Sequence, residues 1–270
     1  MDPKIISLLD RLADTSAEII LRYYRTDINV DDKSDGSPVT IADRSAEAAM
    51  REIIMDVFPE HGIIGEEYGI HQGDAEYVWT LDPIDGTKNF VAGSFLFTTL
   101  VGLLKDGKPV LGMINHPLTG HRVIGDGRRA WMSGEDVRVR ACDSLEDALL
   151  LGSTHVSIGH YQNMDAYNKL LERIKIYRTW GDGHGYFLLA TGYADIVTDP
   201  IMALWDVAPL IPIVEGAGGR MTDWHGGPIF PSVEEVYQNG TSCIATAGSL
   251  HDEIVQLVYS GVSNNQDTID

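Results

Sequence analysis

Trp79-Thr80-Leu81-Asp82-Pro83-Ile84-Asp85-Gly86-Thr87-Lys88-Asn89-Phe90 is the stretch whose reading decides the fold. An apolar strand runs into two carboxylates separated by Pro83 and Ile84, and then into a Gly-Thr turn. Pro83 fixes φ and stiffens the bend, so the Ile84 carbonyl is available as a further oxygen ligand. Like charges held this close repel unless a cation lies between them, and carboxylate and carbonyl oxygens are the donors that Mg²⁺ accepts. The N–H groups of Gly86 and Thr87, with the Thr87 hydroxyl, suit a phosphate.

Two distant runs add carboxylates. Gly65-Glu66-Glu67 follows the apolar pair Ile63-Ile64, and Leu204-Trp205-Asp206-Val207-Ala208 puts Asp206 at the head of an apolar helix, where it reads as an N-cap. Taken singly, Asp206 is a helix cap, Asp82 and Asp85 are turn residues, and Glu66-Glu67 is a solvated face. Taken together beside a Gly-Thr turn, they read as a site for divalent metal ions and a phosphate.

Outward from these runs, Ile5, Leu8, Leu9, Leu12, Ile19, Ile20 and Tyr23 mark an amphipathic helix, and Ala46, Ala49, Met50, Ile53, Ile54 and Val57 a second. A polar loop, Asp31 to Pro38, lies between them. Apolar runs from Phe95 to Leu104 and from Pro109 to Asn115 flank Lys105-Asp106-Gly107-Lys108, a hairpin with an Asp-Gly turn. After Gly134 the pattern alternates: strands near Leu149–Gly152, Ile176–Trp180 and Ala194–Thr198, with helices over Asp165–Ile174 and Tyr186–Thr191. The Asp206 helix follows, then strands near Arg220–Asp223 and Cys243–Ala247 and a helix from Leu250 to Tyr259. The pattern predicts an α+β half over 1–138 carrying Glu66, Asp82 and Asp85, and an α/β half over 139–270 carrying Asp206 and the specificity residues. Residues 261–270 are polar and read as a frayed end.

With 270 residues and 44% apolar content, the chain can bury one large core or two modest ones. Its 40 acidic against 20 basic residues exclude a nucleic-acid backbone as partner, which needs a basic footprint. Cys142 and Cys243 are too few for a disulfide framework or a thiolate zinc site. The acidic, helically spaced residues 1–25 differ from a signal peptide, and no run approaches the ~20 apolar residues of a membrane span. A cytoplasmic protein with no membrane partner is the expectation.

These motifs resemble the inositol monophosphatase superfamily of Mg²⁺-dependent, lithium-sensitive phosphatases: Gly65-Glu66-Glu67, Asp82-Pro83-Ile84-Asp85-Gly86-Thr87 with Phe90, and Trp205-Asp206-Val207-Ala208 with Gly218-Gly219. The resemblance implies a five-layer αβαβα sandwich, a homodimer, and a site for two or three Mg²⁺ ions. It makes Glu66, Asp82, the Ile84 carbonyl, Asp85 and Asp206 metal ligands, with Gly86 and Thr87 on the phosphate. Glu66 and Thr87 would orient the attacking water, and Asp43, in Thr40-Ile41-Ala42-Asp43, would hold the outermost metal through water.

Trp180-Gly181-Asp182-Gly183-His184-Gly185-Tyr186 is most similar to the histidinol-phosphate phosphatase branch. Lys88 and Ile211 to Gly219 lean the same way. Histidinol phosphate carries an ammonium and an imidazole, for which Asp182 and Asp199 are good partners, and His184 could stack on it or bond to it. His116 and His121 read as non-catalytic. Three features depart from the family pattern: Pro209 and Pro212 inside the Asp206 helix, Arg128-Arg129 in a hairpin that is often acidic, and Tyr68 in place of a small hydroxyl residue. The expected activity is therefore Mg²⁺-dependent hydrolysis of histidinol phosphate. The alternatives are an inositol-1-phosphate or broader sugar-phosphate phosphatase, or a non-catalytic metal-binding regulator of the same fold.

Overall fold

The computed structural model describes residues 3–27, 30–32 and 38–259. The frayed end expected at 261–270, and the middle of the polar loop after Asp32, lie outside these residues. The first half runs α1 (Pro3–Tyr23), β1 (Val30–Asp32), β2 (Pro38–Thr40), α2 (Ile41–Val57), β3 (Gly62–Gly65), β4 (Gly69–His71), β5 (Tyr77–Asp85) and α3 (Thr87–Val91). It continues through β6 (Thr98–Lys105), β7 (Lys108–Asn115), β8 (Arg122–Gly125), β9 (Ala130–Met132) and β10 (Glu135–Val137). The second half comprises β11 (Leu149–Gly152), α4 (Ile158–Tyr161), α5 (Met164–Arg173), β12 (Ile176–Arg178), α6 (Asp182–Ala190), β13 (Ile196–Met202) and α7 (Leu204–Gly216). β14 (Arg220–Thr222), α8 (Val233–Asn239), β15 (Thr241–Thr246) and α9 (His251–Tyr259) complete it.

One sheet has the strand order β10-β9-β8-β7-β6-β5-β3-β4 and the other β12-β11-β13-β15-β14. Period-two alternation along the strands sorts the core into layers. Trp79, Leu81, Val101, Leu103, Met113 and Ile124 face α1 and α2, meeting Leu8, Leu9, Leu12, Met50 and Ile54. Their neighbours Val78, Leu100, Ile114 and Val123 face the other way, onto Tyr186 and Leu189 of α6 and Val207 and Leu210 of α7. Leu151, Val197, Cys243 and Ala245 of the second sheet close on the same two helices, while Leu150, Ile196 and Ile244 turn outward to α5 and α9. The result is a five-layer αβαβα sandwich in which α6 and α7 are sealed between two sheets. α7 is accordingly apolar almost all round, as a helix buried on every side must be.

The depth at which α7 lies is set by three glycines. Gly102, Gly112 and Gly125 stand in register across β6, β7 and β8. A Cβ on Gly112 would come within 1.8 Å of the Pro209 carbonyl oxygen, and one on Gly125 within 2.4 Å of the Ile213 Cα. The row is a trough for the helix backbone, and it fixes where the helix presents Asp206.

Several sequence expectations need adjustment. α7 starts at Leu204 with Ala203 as its N-cap, so Asp206 is the third helical residue and accepts the Ala203 N–H at 2.9 Å. Pro209 thus lies beyond the first turn, yet α7 runs unbroken through both prolines, and the Pro212 carbonyl accepts the Gly127 N–H at 2.9 Å. α6 begins at Asp182, four residues before the predicted start, and α2 begins at Ile41 because Thr40 caps it. The short strands β8 to β10 and helix α8 were missed, each too brief to show a period. The Asp106-Gly107 hairpin is as expected, both residues having positive φ (49° and 73°). Cys142 and Cys243 are free and buried. Among the described residues no helix is long and apolar enough to cross a membrane.

Candidate active site

Asp82 and Asp85 are three residues apart, so an unbroken strand would point them to opposite faces. β5 avoids this with a bulge. Asp82 pairs with Leu100 and Asp85 with Thr98, so Pro83 and Ile84 together stand opposite Thr99 alone. The Thr99 hydroxyl holds the bulge by donating to the Pro83 carbonyl at 2.8 Å. Both carboxylates then face the N-terminus of α7, and oxygens of Asp82, Asp85 and Asp206 lie within 4.8 Å of one another.

Three carboxylates held this close repel one another, and the electrostatics show it. Burial pushes the Asp82 carboxyl well above the carboxylate range, and the charges of Glu66, Asp85 and Asp206 add to that. Asp85 is raised by burial and by Asp182 and Asp206, against the hydrogen bond it accepts from the Gly183 N–H. Asp206 is pushed up to about 7 by burial and Glu66. Asp82 Oδ1 is buried with no hydrogen-bond partner. An all-oxygen donor set with an orphaned buried oxygen fits a hard divalent cation.

Glu66, on the turn after β3, lines the same cleft of about 440 Å³ together with Asp82, Ile84, Asp85, Gly86, Thr87 and Asp206. Its backbone N–H donates to the Leu81 carbonyl at 3.1 Å, which ties the turn to β5 just ahead of Asp82. Gly86 has φ of 82° and forms the N-cap of α3, and the Thr87 hydroxyl donates to the Ile84 carbonyl at 2.9 Å. Asp43 stands a layer back, at the start of α2. Its Oδ2 accepts from the Thr40 N–H (2.8 Å) and hydroxyl (2.6 Å), whereas Oδ1 is buried without a hydrogen-bond partner. Burial raises its pKa, with the Glu66 charge a lesser contribution.

A smaller chamber of about 100 Å³ opens beside the carboxylates, lined in part by Asp85, Asp182, Asp199, Ser153, Thr154 and Ser157. Asp182, at positive φ (53°), accepts from Asn89 Nδ2 at 3.1 Å, and its own N–H donates to the Ser153 hydroxyl at 3.0 Å. Burial raises its pKa against the Ser153 bond, the Lys88 charge and the Asn89 bond. Asp199 is held by the Ser153 hydroxyl and by Tyr186 Oη at 2.8 Å, and burial pushes it up to about 6. Gly183 must be glycine, since a Cβ there would lie 2.6 Å from Asp85 Oδ2.

His184 is not among the residues lining either chamber. It is two residues from Asp182 on α6, and positions two apart do not share a helix face. Its Nδ1 lies 3.2 Å from His116 Nε2, and burial holds both rings at about 4. Arg128 and Arg129 sit on the β8–β9 turn, where Asp126 accepts their backbone N–H groups. Ser153, Thr154, Ser157 and Tyr161 were not singled out from the sequence. Ser153 follows the carboxyl end of β11, the middle of three parallel strands, which is where open α/β sheets place ligands.

The model of the inositol monophosphatase family matches residues 3–263. The chain belongs to this family. It is 44% identical over 218 residues to the bifunctional phosphatase IMPL2, chloroplastic, of Arabidopsis thaliana, covering 80% of this chain and 63% of that protein. The chain thus spans less than two thirds of the length of that relative. It is 34% identical over 259 residues to the histidinol-phosphatase of Mycobacterium tuberculosis, covering 93% of this chain and 96% of that one. Among solved structures, an inositol monophosphatase from Zymomonas mobilis superposes with a TM-score of 0.81 at 36% identity, covering 96% of this chain and 97% of that chain. The family and these relatives are phosphatases, and metal dependence is typical of the family.

Proposed function

We propose that the protein is an Mg²⁺-dependent phosphomonoesterase that hydrolyses histidinol phosphate to histidinol and phosphate. The observation that carries this reading is a triad of carboxylates, Asp82 buried and Asp85 and Asp206 half-buried, opening into a chamber walled by two more, Asp182 and Asp199. Glu66, Asp82, the Ile84 carbonyl, Asp85 and Asp206 would hold two or three Mg²⁺ ions, with Asp43 Oδ1 reaching the outermost through water. Bound there, Mg²⁺ supplies Lewis-acid stabilisation of the phosphoryl charge and a lowered water pKa.

The chain's own groups do the rest. Thr87 Oγ spends its proton on the Ile84 carbonyl and keeps its lone pairs. Thr87 and Glu66 would then each accept a hydrogen bond from one water, leaving its two lone pairs free, one of them toward phosphorus. The Gly86-Thr87 backbone holds the phosphate in place for in-line attack. Asp182 and Asp199 offer negative charge to an ammonium, which an inositol ring lacks. His184, facing His116, would bear on the substrate only through the position of α6.

Relatives named histidinol-phosphatase support this substrate, and the solved Zymomonas mobilis relative supports the second reading, inositol monophosphate. Phosphate release from both compounds, compared by kcat/KM with Mg²⁺ and with chelator, separates them. Preference for histidinol phosphate, abolished by chelator, is expected. Preference for inositol 1-phosphate would favour the second reading, and no metal-dependent release from either would refute both. The resemblance also carries a homodimer, lithium sensitivity and a division into halves at residues 138/139 as parts of the same proposal, the first checked by sedimentation.

A further inference from the structure

Glu66 reaches the cleft from a three-residue turn, Glu66-Glu67-Tyr68, between β3 and β4. The turn closes the β3–β4 hairpin, in which Gly65 pairs with Gly69. A carboxylate in the middle of α2 grips it from outside the hairpin. Glu47 is wholly buried, and its Oε2 accepts the Glu67 N–H at 2.7 Å while its Oε1 accepts the Tyr68 N–H at 3.1 Å. Arg51, one helical turn on, donates Nε to Glu47 Oε1 at 2.7 Å, and its Nη2 donates to the Gly69 carbonyl, where β4 begins. The guanidinium stacks near the Tyr68 ring, 5.9 Å from its centroid. Gly65, just before the turn, leaves room for this arrangement: a Cβ there would come within 2.1 Å of Glu47 Oε1 and 2.9 Å of Arg51 Nη2.

We propose that Glu47 and Arg51 are positioning residues that set the metal affinity of the site by fixing the turn that carries Glu66. The inference rests on the reading of Glu66 as a metal ligand. Glu47 and Arg51 neutralise each other, so the clamp grips the turn without adding net charge to a cleft already crowded with carboxylates. It binds the last two residues of the turn and the first of β4, at the Glu67 and Tyr68 N–H groups and the Gly69 carbonyl. With Glu66 tied to β5 through Leu81, that leaves the turn little freedom to swing. Partners one layer out from metal ligands commonly govern affinity by about 10–100-fold.

The test is the Mg²⁺ dependence of phosphate release by wild type, Glu47→Gln and Arg51→Lys, with Mg²⁺ binding followed by calorimetry and folding by thermal melting. Glu47→Gln has one acceptor oxygen where two are needed, and Arg51→Lys keeps the charge but loses the fork that spans Glu47 and Gly69. Both should raise the half-saturating Mg²⁺ concentration roughly tenfold or more, with the rate recovering at high Mg²⁺ and substrate KM at saturating metal unchanged. A loss of folded protein alone would lower the rate at every Mg²⁺ concentration without moving the half-saturation point. Unchanged half-saturation in folded Arg51→Lys overturns the proposal, even if Glu47→Gln fails to fold. Should Glu66→Gln, assayed alongside, itself leave the half-saturation unmoved, the reading of Glu66 as a ligand fails instead, so the two failures are distinguishable.

Discussion

Gly112→Ala probes the link between packing and the site with a single methyl group. Gly112 has no positive φ, so the substitution carries no dihedral strain, and its effect comes from contact alone. The new Cβ would lie 1.8 Å from the Pro209 carbonyl oxygen, 2.6 Å from its carbon and 2.9 Å from its Cα. All three are backbone atoms of a helix packed between two sheets, so no side chain can rotate away, and α7 must lift by more than an ångström. Overpacking of this kind costs about 3 kcal/mol, the upper part of the usual range. Pro209 is three residues from Asp206, so the same lift draws the Asp206 carboxylate away from Asp82 and Asp85. A misplacement of about 1 Å in a reacting constellation can cost on the order of a hundredfold in rate. The assay is urea unfolding paired with Mg²⁺-dependent phosphate release. Gly120→Ala is the control, since a Cβ at Gly120 meets nothing within 4 Å and only its φ of 69° is unfavourable. Gly112→Ala with stability within about 0.5 kcal/mol of wild type, a surface-like effect, and normal turnover would refute the trough as what seats Asp206.

Other outcomes follow from individual groups. Asp85→Asn removes a ligand shared by the cluster and should lower kcat roughly a thousandfold, several kcal/mol of transition-state stabilisation, with the fold retained by circular dichroism; near-normal turnover would contradict that role. His116 is depressed from 6.5 to about 4, chiefly by burial, so its contribution to stability is complete above pH 6.5 and is lost as pH falls toward 4. At 1.36 kcal/mol per pH unit the limit is about 3 kcal/mol. The buried carboxylates titrate in the opposite sense, so the diagnostic is the difference between wild type and His116→Phe: the variant should lose less stability between pH 7 and 4.5, and parallel curves would argue against a buried neutral ring. Asp199→Asn should raise KM for histidinol phosphate more than for inositol 1-phosphate, and equal changes would place the ammonium elsewhere.

The fold class and the carboxylates that meet in the cleft were legible in the sequence, and much of the packing that brings them together was not, for reasons that differ residue by residue. Asp82, Asp85, Glu66 and Asp206 could be read because carboxylates beside glycine and apolar runs are costly without a cation. The bulge that aims Asp82 and Asp85 together was hinted at only by Pro83, and the Thr99 bond that holds it had no signal at all. Asp206 was read as a cap, while the structure makes it the third helical residue, because Leu204 and Trp205 already belong to α7. Glu47 and Arg51 were not singled out from the sequence, because their burial depends on the β3–β4 turn folding over them. The glycines at 102, 112 and 125 are unremarkable along the chain and acquire meaning only when three strands align them.

The central claim is that Asp82, Asp85 and Asp206 form a divalent-metal centre beside the Gly86-Thr87 turn. An anomalous difference map from a crystal soaked in Mn²⁺, with Mg²⁺ competition, tests it most directly. The account predicts a peak about 2.0–2.5 Å from oxygens of these three carboxylates, displaced by Mg²⁺. Density only at other surface acids, or no peak in a cleft whose carboxylates are ordered, would contradict it.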